Sequence, residues 1–168
     1  MSVNAVTYKR DVRVALNAFL TGYFDGAAHN FTSAAGATTA VTFPSCTPVF
    51  DRPQWGAVLA TPQIVLLPIG PEREVNREPT ANGQRVLKEL TYRIEVWTTD
   101  VNKLWDTNDN VQDKLALALN GSHTLDLAGL RLLRLGEATP LAADPSQEWQ
   151  ISTRVAVFLV EVVYPGAG

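Results

Sequence analysis

Residues 151–164 read ISTRVAVFLVEVVY, and this stretch decides the fold. It opens with polar residues between apolar ones, then turns apolar at every position from Val155 to Val160. A strand that is apolar on both faces is covered on both, so the stretch predicts the longest and most central strand of a sheet. Its natural neighbour is Val86 to Thr99, where Leu90, Tyr92, Ile94 and Val96 alternate with Glu89, Arg93 and Glu95. That period of two predicts a half-buried strand, with Trp97 adding apolar area to an otherwise polar face.

Working outward, Gln63 to Ile69 (QIVLLPI) is a short apolar run whose Pro68 puts its outer end at a sheet edge. Between it and the alternating strand lies PEREVNREPTANGQR, with two prolines, an Asn82-Gly83 turn signal and charges of both signs. The segment 71–85 therefore predicts a hairpin with a long arm, mobile in the isolated subunit and ordered in an assembly. Leu130 to Leu135 (LRLLRL) is a further strand whose alternation slips at Leu132-Leu133, which predicts a bulge.

Two helices complete the pattern. Tyr8, Val12, Leu16, Phe19 or Leu20, and Tyr23 recur at steps of three and four and lay one apolar stripe on a helix over 5–24. DTNDN at 106–110 opens a second helix, with Thr107 or Asn108 as cap, Val111, Leu115 and Ala118 or Leu119 as stripe, and Asn120-Gly121 as a left-handed stop. Residues 27–62 hold no lasting period and are punctuated by Pro44, Pro48, Pro53 and Pro62. They predict a long irregular excursion pinned to the body by Phe31, Phe43, Phe50 and Trp55, with short strands at most at 40–43 and 54–60. The expected fold is a single α+β domain over 1–168. It has a mainly antiparallel four-stranded sheet, two helices packed on one face, a long irregular insertion (27–62) and a hairpin arm (71–85).

Composition narrows the function. Fourteen Lys and Arg stand against seventeen Asp and Glu, a net charge of −3, which excludes a generally basic nucleic-acid binder. One cysteine excludes a disulfide framework, and two histidines leave little for a zinc site or a His-based catalytic network. The N-terminal stretch MSVNAVTYKRDVR is no secretory signal, and the longest apolar stretch is too short to cross a bilayer. A soluble chain made in a reducing compartment is expected.

Catalytic patterns are missing from the sequence. No Gly-rich phosphate loop, nucleophile elbow or His-Glu-x-x-His occurs. Asp106-Thr-Asn108-Asp-Asn110 imitates half a calcium loop, but Val111 stands where the turn needs Gly and Leu117 where a bidentate Glu belongs. The carboxylate pairs Glu72/Glu74 and Glu89/Glu95 are flanked by arginines and predict exposed, balanced charges. His29 and His123 have no evident partner in sequence, and Cys46, between Ser45 and Thr47, is expected to be a small buried residue. No enzyme, metal or cofactor is expected.

One resemblance covers most of the chain. The order is an N-terminal amphipathic helix, a crossing with Trp55 and Pro62, QIVLLPIGPE, a charged excursion, LKELTYRIEVWTTD, NDNVQDKLALALN and two closing strands. This layout resembles the tail terminator, or tail completion, proteins of long-tailed bacteriophages, and the stretch from Lys88 to Asn120 is its least generic part. The resemblance implies a virion protein without catalysis, assembled in the host cytoplasm into a ring, usually of six subunits, on the head-proximal end of the tail tube. Such a ring stops tube polymerisation, offers the head's connector or stopper protein a docking face, and lets genomic DNA through its lumen without specific binding; no membrane is involved. The candidate interface to a neighbouring subunit or the tube is the arm, with Glu72, Arg73, Glu74, Arg77, Glu78 and Arg85, together with the excursion aromatics Phe43, Phe50 and Trp55. A head-completion or stopper protein of similar fold, and a non-viral small α+β binding module, stay open as alternatives.

Overall fold

The computed structural model describes residues 3–54, 58–99, 105–144 and 149–167, the side chains of 143 and 144 apart. Its spine is a ribbon of two strands that pair antiparallel over seventeen residues each, Gly83–Thr99 (β7) and Trp149–Pro165 (β10). At about 3.3 Å per residue, each runs on the order of 55 Å. Further strands line both outer edges end to end. Gln63–Pro68 (β5) and Arg73–Thr80 (β6) lie along β7, opposite 92–97 and 83–89 respectively. Along β10 lie Thr139–Asp144 (β9), Leu130–Leu135 (β8) and the two-residue Val3–Asn4 (β1). Thr47–Val49 (β4) adds to the far edge of β5, and Ala28–Thr32 (β2) with Thr38–Thr42 (β3) forms a separate hairpin.

The expectation of a mainly antiparallel four-stranded sheet is therefore wrong. The sheet has eight strands and is mixed, with β1/β10 and β4/β5 parallel, and it curves into a half-barrel beside the two-stranded hairpin. The physical reason lies in the added strands. β1, β4, β6 and β9 read VN, TPV, REVNREPT and TPLAAD, too short or too polar to show a hydrophobic period. Their place is set by backbone hydrogen bonding to the edges of β5, β7 and β10, which periodicity does not report. The 27–62 excursion is likewise not irregular throughout, since it carries β2, β3 and β4. Residues 58–60 form no strand, and 55–57, with Trp55, lie outside the described residues.

Two helices, Tyr8–Tyr23 (α1) and Asp106–Gly121 (α2), complete the molecule. α1 buries Tyr8, Val12, Ala15, Leu16, Phe19 and Leu20; α2 buries Val111, Leu115, Ala118 and Leu119. Both stripes join one cluster with Leu90, Tyr92, Ile94 and Val96 of β7 and Ala156, Phe158 and Val160 of β10. Burying each large apolar side chain contributes about 1.5–3 kcal/mol, so this cluster carries most of the folding energy. A smaller cluster on the opposite face joins Val65, Trp97, Trp149 and Ile151, with Val49, Leu59 and Leu67 against it.

Local details follow the sequence in part. β8 shifts register between Val157 and Phe158, so that Leu133 is the extra residue of a bulge. The cap and stop of α2 differ from expectation. Trp105 is its N-cap, with no side-chain cap bond, and Asn108 turns inward instead. Gly121 is not left-handed; α2 runs through it to Ser122. Its small size matters because a Cβ there would stand 3.3 Å from the Phe31 ring.

Candidate functional site

Among the surfaces expected to matter, the arm is the most completely built. Among the described residues β6 pairs only with β7, the turn at its tip is Ala81-Asn82, and β10 flanks the other side of β7. The arm is thus the β6 edge of the sheet at this end, where β6, β7 and β10 lie side by side and β1 pairs with the far side of β10 at Val162 and Val163. Gly83 is required where the strands close at the tip, because a Cβ there would meet the Tyr164 carbonyl at 2.0 Å. Every residue of β6 is exposed. Its outer edge is interrupted by Pro79 and by a register shift between Glu74 and Asn76, devices that stop a free edge from pairing indiscriminately.

The candidate charges of the arm pair partly with one another and partly with neighbours. Arg77 donates to both Glu74 carboxylate oxygens at 2.8 Å and to the Gln84 side-chain oxygen. This holds Glu74 below the usual carboxylate range and raises the Arg77 pKa. Arg85 lies 3.3 Å from Glu161 of β10, and Glu78 accepts from Asn76 at 3.2 Å. Arg73 is exposed at the start of β6. Exposed pairs of this kind are each worth about 0–1 kcal/mol, so they exchange partners at little cost.

Glu72 has a different task, at the root of the arm. The Tyr8 hydroxyl donates to its carboxylate, and Lys9 and Lys88 each stand 3.7 Å from it. Lys88 also lies over the Tyr8 ring at 4.9 Å and the Tyr164 ring at 5.2 Å. Burial, then the bond to Glu72, pushes the Tyr8 phenol up to about 12. Burial works to lower the Lys88 pKa but is outweighed by hydrogen bonds to the Tyr164 and Tyr8 hydroxyls and by Glu72, so the net shift is upward. This knot ties α1 to both long strands and fixes the direction in which the arm leaves the body.

The aromatic candidates separate. Phe43 is 0% exposed, packed edge-on against Phe24 and His29 and stacked with Phe31, so it belongs to the core and faces no neighbour. Phe50 is half-buried, with Arg13 6.0 Å above its ring. Trp55 is outside the described residues. Among the residues set aside, His29 does have a partner, since its Nε2 is 3.0 Å from Asp25 Oδ1, and that bond lowers the Asp25 pKa. Cys46 is buried, and burial pushes its thiol up to about 12. Asp106 to Asn110 is wound into the first turn of α2.

Sequence reasoning missed two polar groups. Glu95, expected to be exposed, is 0% exposed: Arg52 grips it through two bonds of 2.8 Å, and the Trp97 indole donates to it at 3.1 Å. The bond to Glu95 raises the Arg52 pKa. The signal was present in the alternation, which sets Glu95 and Trp97 on the same face. Under α2, Asn108 donates to the Val96 carbonyl at 2.9 Å and accepts from Ser152, which in turn accepts from Gln112 at 2.8 Å. Gln112 also accepts from Arg154 at 2.9 Å, and burial lowers the Arg154 pKa. These bonds lock α2 to the two long strands and satisfy the buried side chains of Asn108, Gln112 and Ser152, while the buried Thr153 hydroxyl, next to Ser152 in the chain, has no partner among the described residues. Among the described residues no group of three or more His, Cys, Asp or Glu side chains is placed to hold a metal, and no helix is long and apolar enough to cross a membrane.

No known protein family matches the chain, and no curated protein matches it.

Proposed function

We propose that this chain is a virion structural subunit of the tail-terminator kind, which works without catalysis. Copies of it form a ring, six in number by the resemblance, at the head-proximal end of a tail tube. The ring ends tube growth and gives the head connector or stopper its seat, while the genome passes through the lumen. The observation that carries this reading is the arm. A wholly exposed, charged edge strand, β6, is rooted in the body by the Tyr8–Glu72–Lys88 knot.

A ring needs a heterologous interface that closes, in which one surface meets a different surface of the next copy. An arm that leaves the body in a fixed direction supplies the first of these, and its edge, guarded by proline and charge, favours side-chain recognition over open-ended strand addition. The Glu74–Arg77 and Arg85–Glu161 pairs provide both signs of charge, which fix register and partner more than raw affinity. A subunit with a net charge of −3 also gives a lumen that need not hold DNA phosphates.

The test is attachment. Purified protein is mixed with isolated tail tubes or with heads carrying their portal, and the mixtures are imaged by negative stain. Rings seated on one end of the tubes support the reading. Binding to heads alone transfers the protein to the stopper class, and binding to neither contradicts both.

A further inference from the structure

A cleft of about 540 Å³ opens between α1 and the connection from β5 to β6. Its volume falls within the roughly 300–1,000 Å³ range of small-ligand sites. Leu90 and Tyr92 of β7 form the floor, Ile69 and Pro71 a wall, and Lys9 and Arg13 one rim. Lys9 and Arg13 are four residues apart on α1 and so share a face of the helix.

Two polar groups in this cleft have no hydrogen-bond or ion-pair partner among the described residues, although Arg13 also lies over the Phe50 ring. Tyr92 is only 3% exposed and its ring packs edge-on against Phe158, yet among the described residues its hydroxyl has no hydrogen-bond partner. Burial raises the pKa of that phenol, with the Arg13 charge acting against it, so the hydroxyl keeps its proton and is a donor. Arg13 is exposed and, among the described residues, has no carboxylate within salt-bridge reach. The acidic group on the opposite rim, Glu72, is already taken by Tyr8, Lys9 and Lys88. The Tyr92 hydroxyl is not among the buried unpaired atoms, so it is open to the cleft, and an oxyanion there would accept from it and from the Arg13 guanidinium at once.

We infer that this cleft binds a carboxylate carried on an apolar body, with the Tyr92 hydroxyl and the Arg13 guanidinium holding the carboxylate and Leu90, Ile69 and Pro71 covering the body. Two sources carry that chemistry: a small aryl or alkyl acid, or an acidic side chain flanked by apolar residues on a partner chain. The assignment stands on the cleft itself and is independent of ring formation.

The experiment is an amide NMR titration of the full chain with hydrocinnamate, with hydrocinnamyl alcohol, and with a blocked Leu-Glu-Pro-Leu peptide. Saturable shifts around Arg13 and Tyr92 are expected from at least one carboxylate probe, with the alcohol about tenfold weaker or more. Tyr92→Phe and Arg13→Gln each weaken binding by about tenfold, whereas Arg131→Gln, away from the cleft, leaves it unchanged. Tighter binding of the peptide assigns the site to a partner's acidic segment, and tighter binding of hydrocinnamate assigns it to a small acid. Should Tyr92→Phe fail to fold, Arg13→Gln at its exposed position still decides. Absence of saturable shifts at millimolar probe, equal binding of the alcohol, or indifference to Arg13→Gln overturns the assignment.

Discussion

The two halves of β7 make the most instructive contrast in the molecule. From Leu90 to Thr98 the strand is covered: Tyr92, Ile94 and Val96 lie under the helices, while Glu95 and Trp97 lie under the chain around Arg52 on the other face. From Gly83 to Glu89 only Val86 is fully buried, and the strand is flanked by an outer partner with every residue exposed. The pairing of β7 with β10 is equally regular in both halves, since β10 follows β7 along its full length. Hydrogen bonding therefore continues where burial on β7 thins to Val86, which lies opposite Val162 of the core cluster. The body half carries most of the buried apolar area of β7, and the arm half carries a wholly exposed outer strand.

The widest separation between the halves comes from placing the same charge in each. Phe158→Asp, at a fully buried position of β10, is expected to abolish folding, because an unpaired buried charge costs several kcal/mol. Val75→Asp in the arm should leave circular dichroism and melting unchanged within error, since that side chain is exposed. A folded Phe158→Asp protein would mean that β10 is not central.

Next in size is the buried pair of the body. Arg52→Ala leaves Glu95 without its charge partner and is expected to cost about 2–3 kcal/mol in urea unfolding. Arg52 is itself 48% exposed, which keeps the loss at or below the lower end of what fully buried pairs show. Combining it with Glu95→Gln should recover part of the loss, and strict additivity would show that the two residues do not interact.

The alkaline limb of the stability curve reports on Cys46. The unfolded thiol loses its proton near the ordinary 9.0, whereas the folded one keeps it up to about 12. Because the folded state then binds more protons, stability is flat below pH 9.0 and falls between 9.0 and about 12. The slope approaches about 1.4 kcal/mol per pH unit where only the unfolded thiol is ionised. Cys46→Ala should flatten the lower part of this limb, and an unchanged limb would mean that the thiol is accessible in the folded protein.

The smallest effect belongs to the arm. Arg77→Ala removes both bonds to Glu74 and the contact with Gln84, yet should shift stability by less than about 0.5 kcal/mol. Its consequence should appear instead in assembly. A large loss of stability would show that the arm helps hold the body.

This contrast also marks what the sequence discloses. The α1 stripe, the two-faced apolar run of β10 and the slip at Leu132-Leu133 are consequences of burial, and burial leaves a period behind it. The edge strands β4, β6 and β9 are positioned by backbone bonds to a neighbour, and TPV, REVNREPT and TPLAAD carry no such mark. The same limit explains the polar misreadings. Glu95 finds Arg52 forty-three residues away, and Asn108 finds Ser152 at a separation of forty-four, so neither partnership is local enough to read. Of the nine interface candidates, the six arm charges lie at the root, along β6 and on the facing strand, whereas Phe43 is buried in the core, because an aromatic in a loop-like segment can still pack inward.

The most direct test follows the growth of a tail tube in vitro, with this protein added at successive times and tube lengths measured by electron microscopy. Growth is expected to arrest at the length reached on addition, with a ring of density on one end. Tubes that continue to lengthen with the protein present in excess, and whose ends stay bare, would contradict the proposed function.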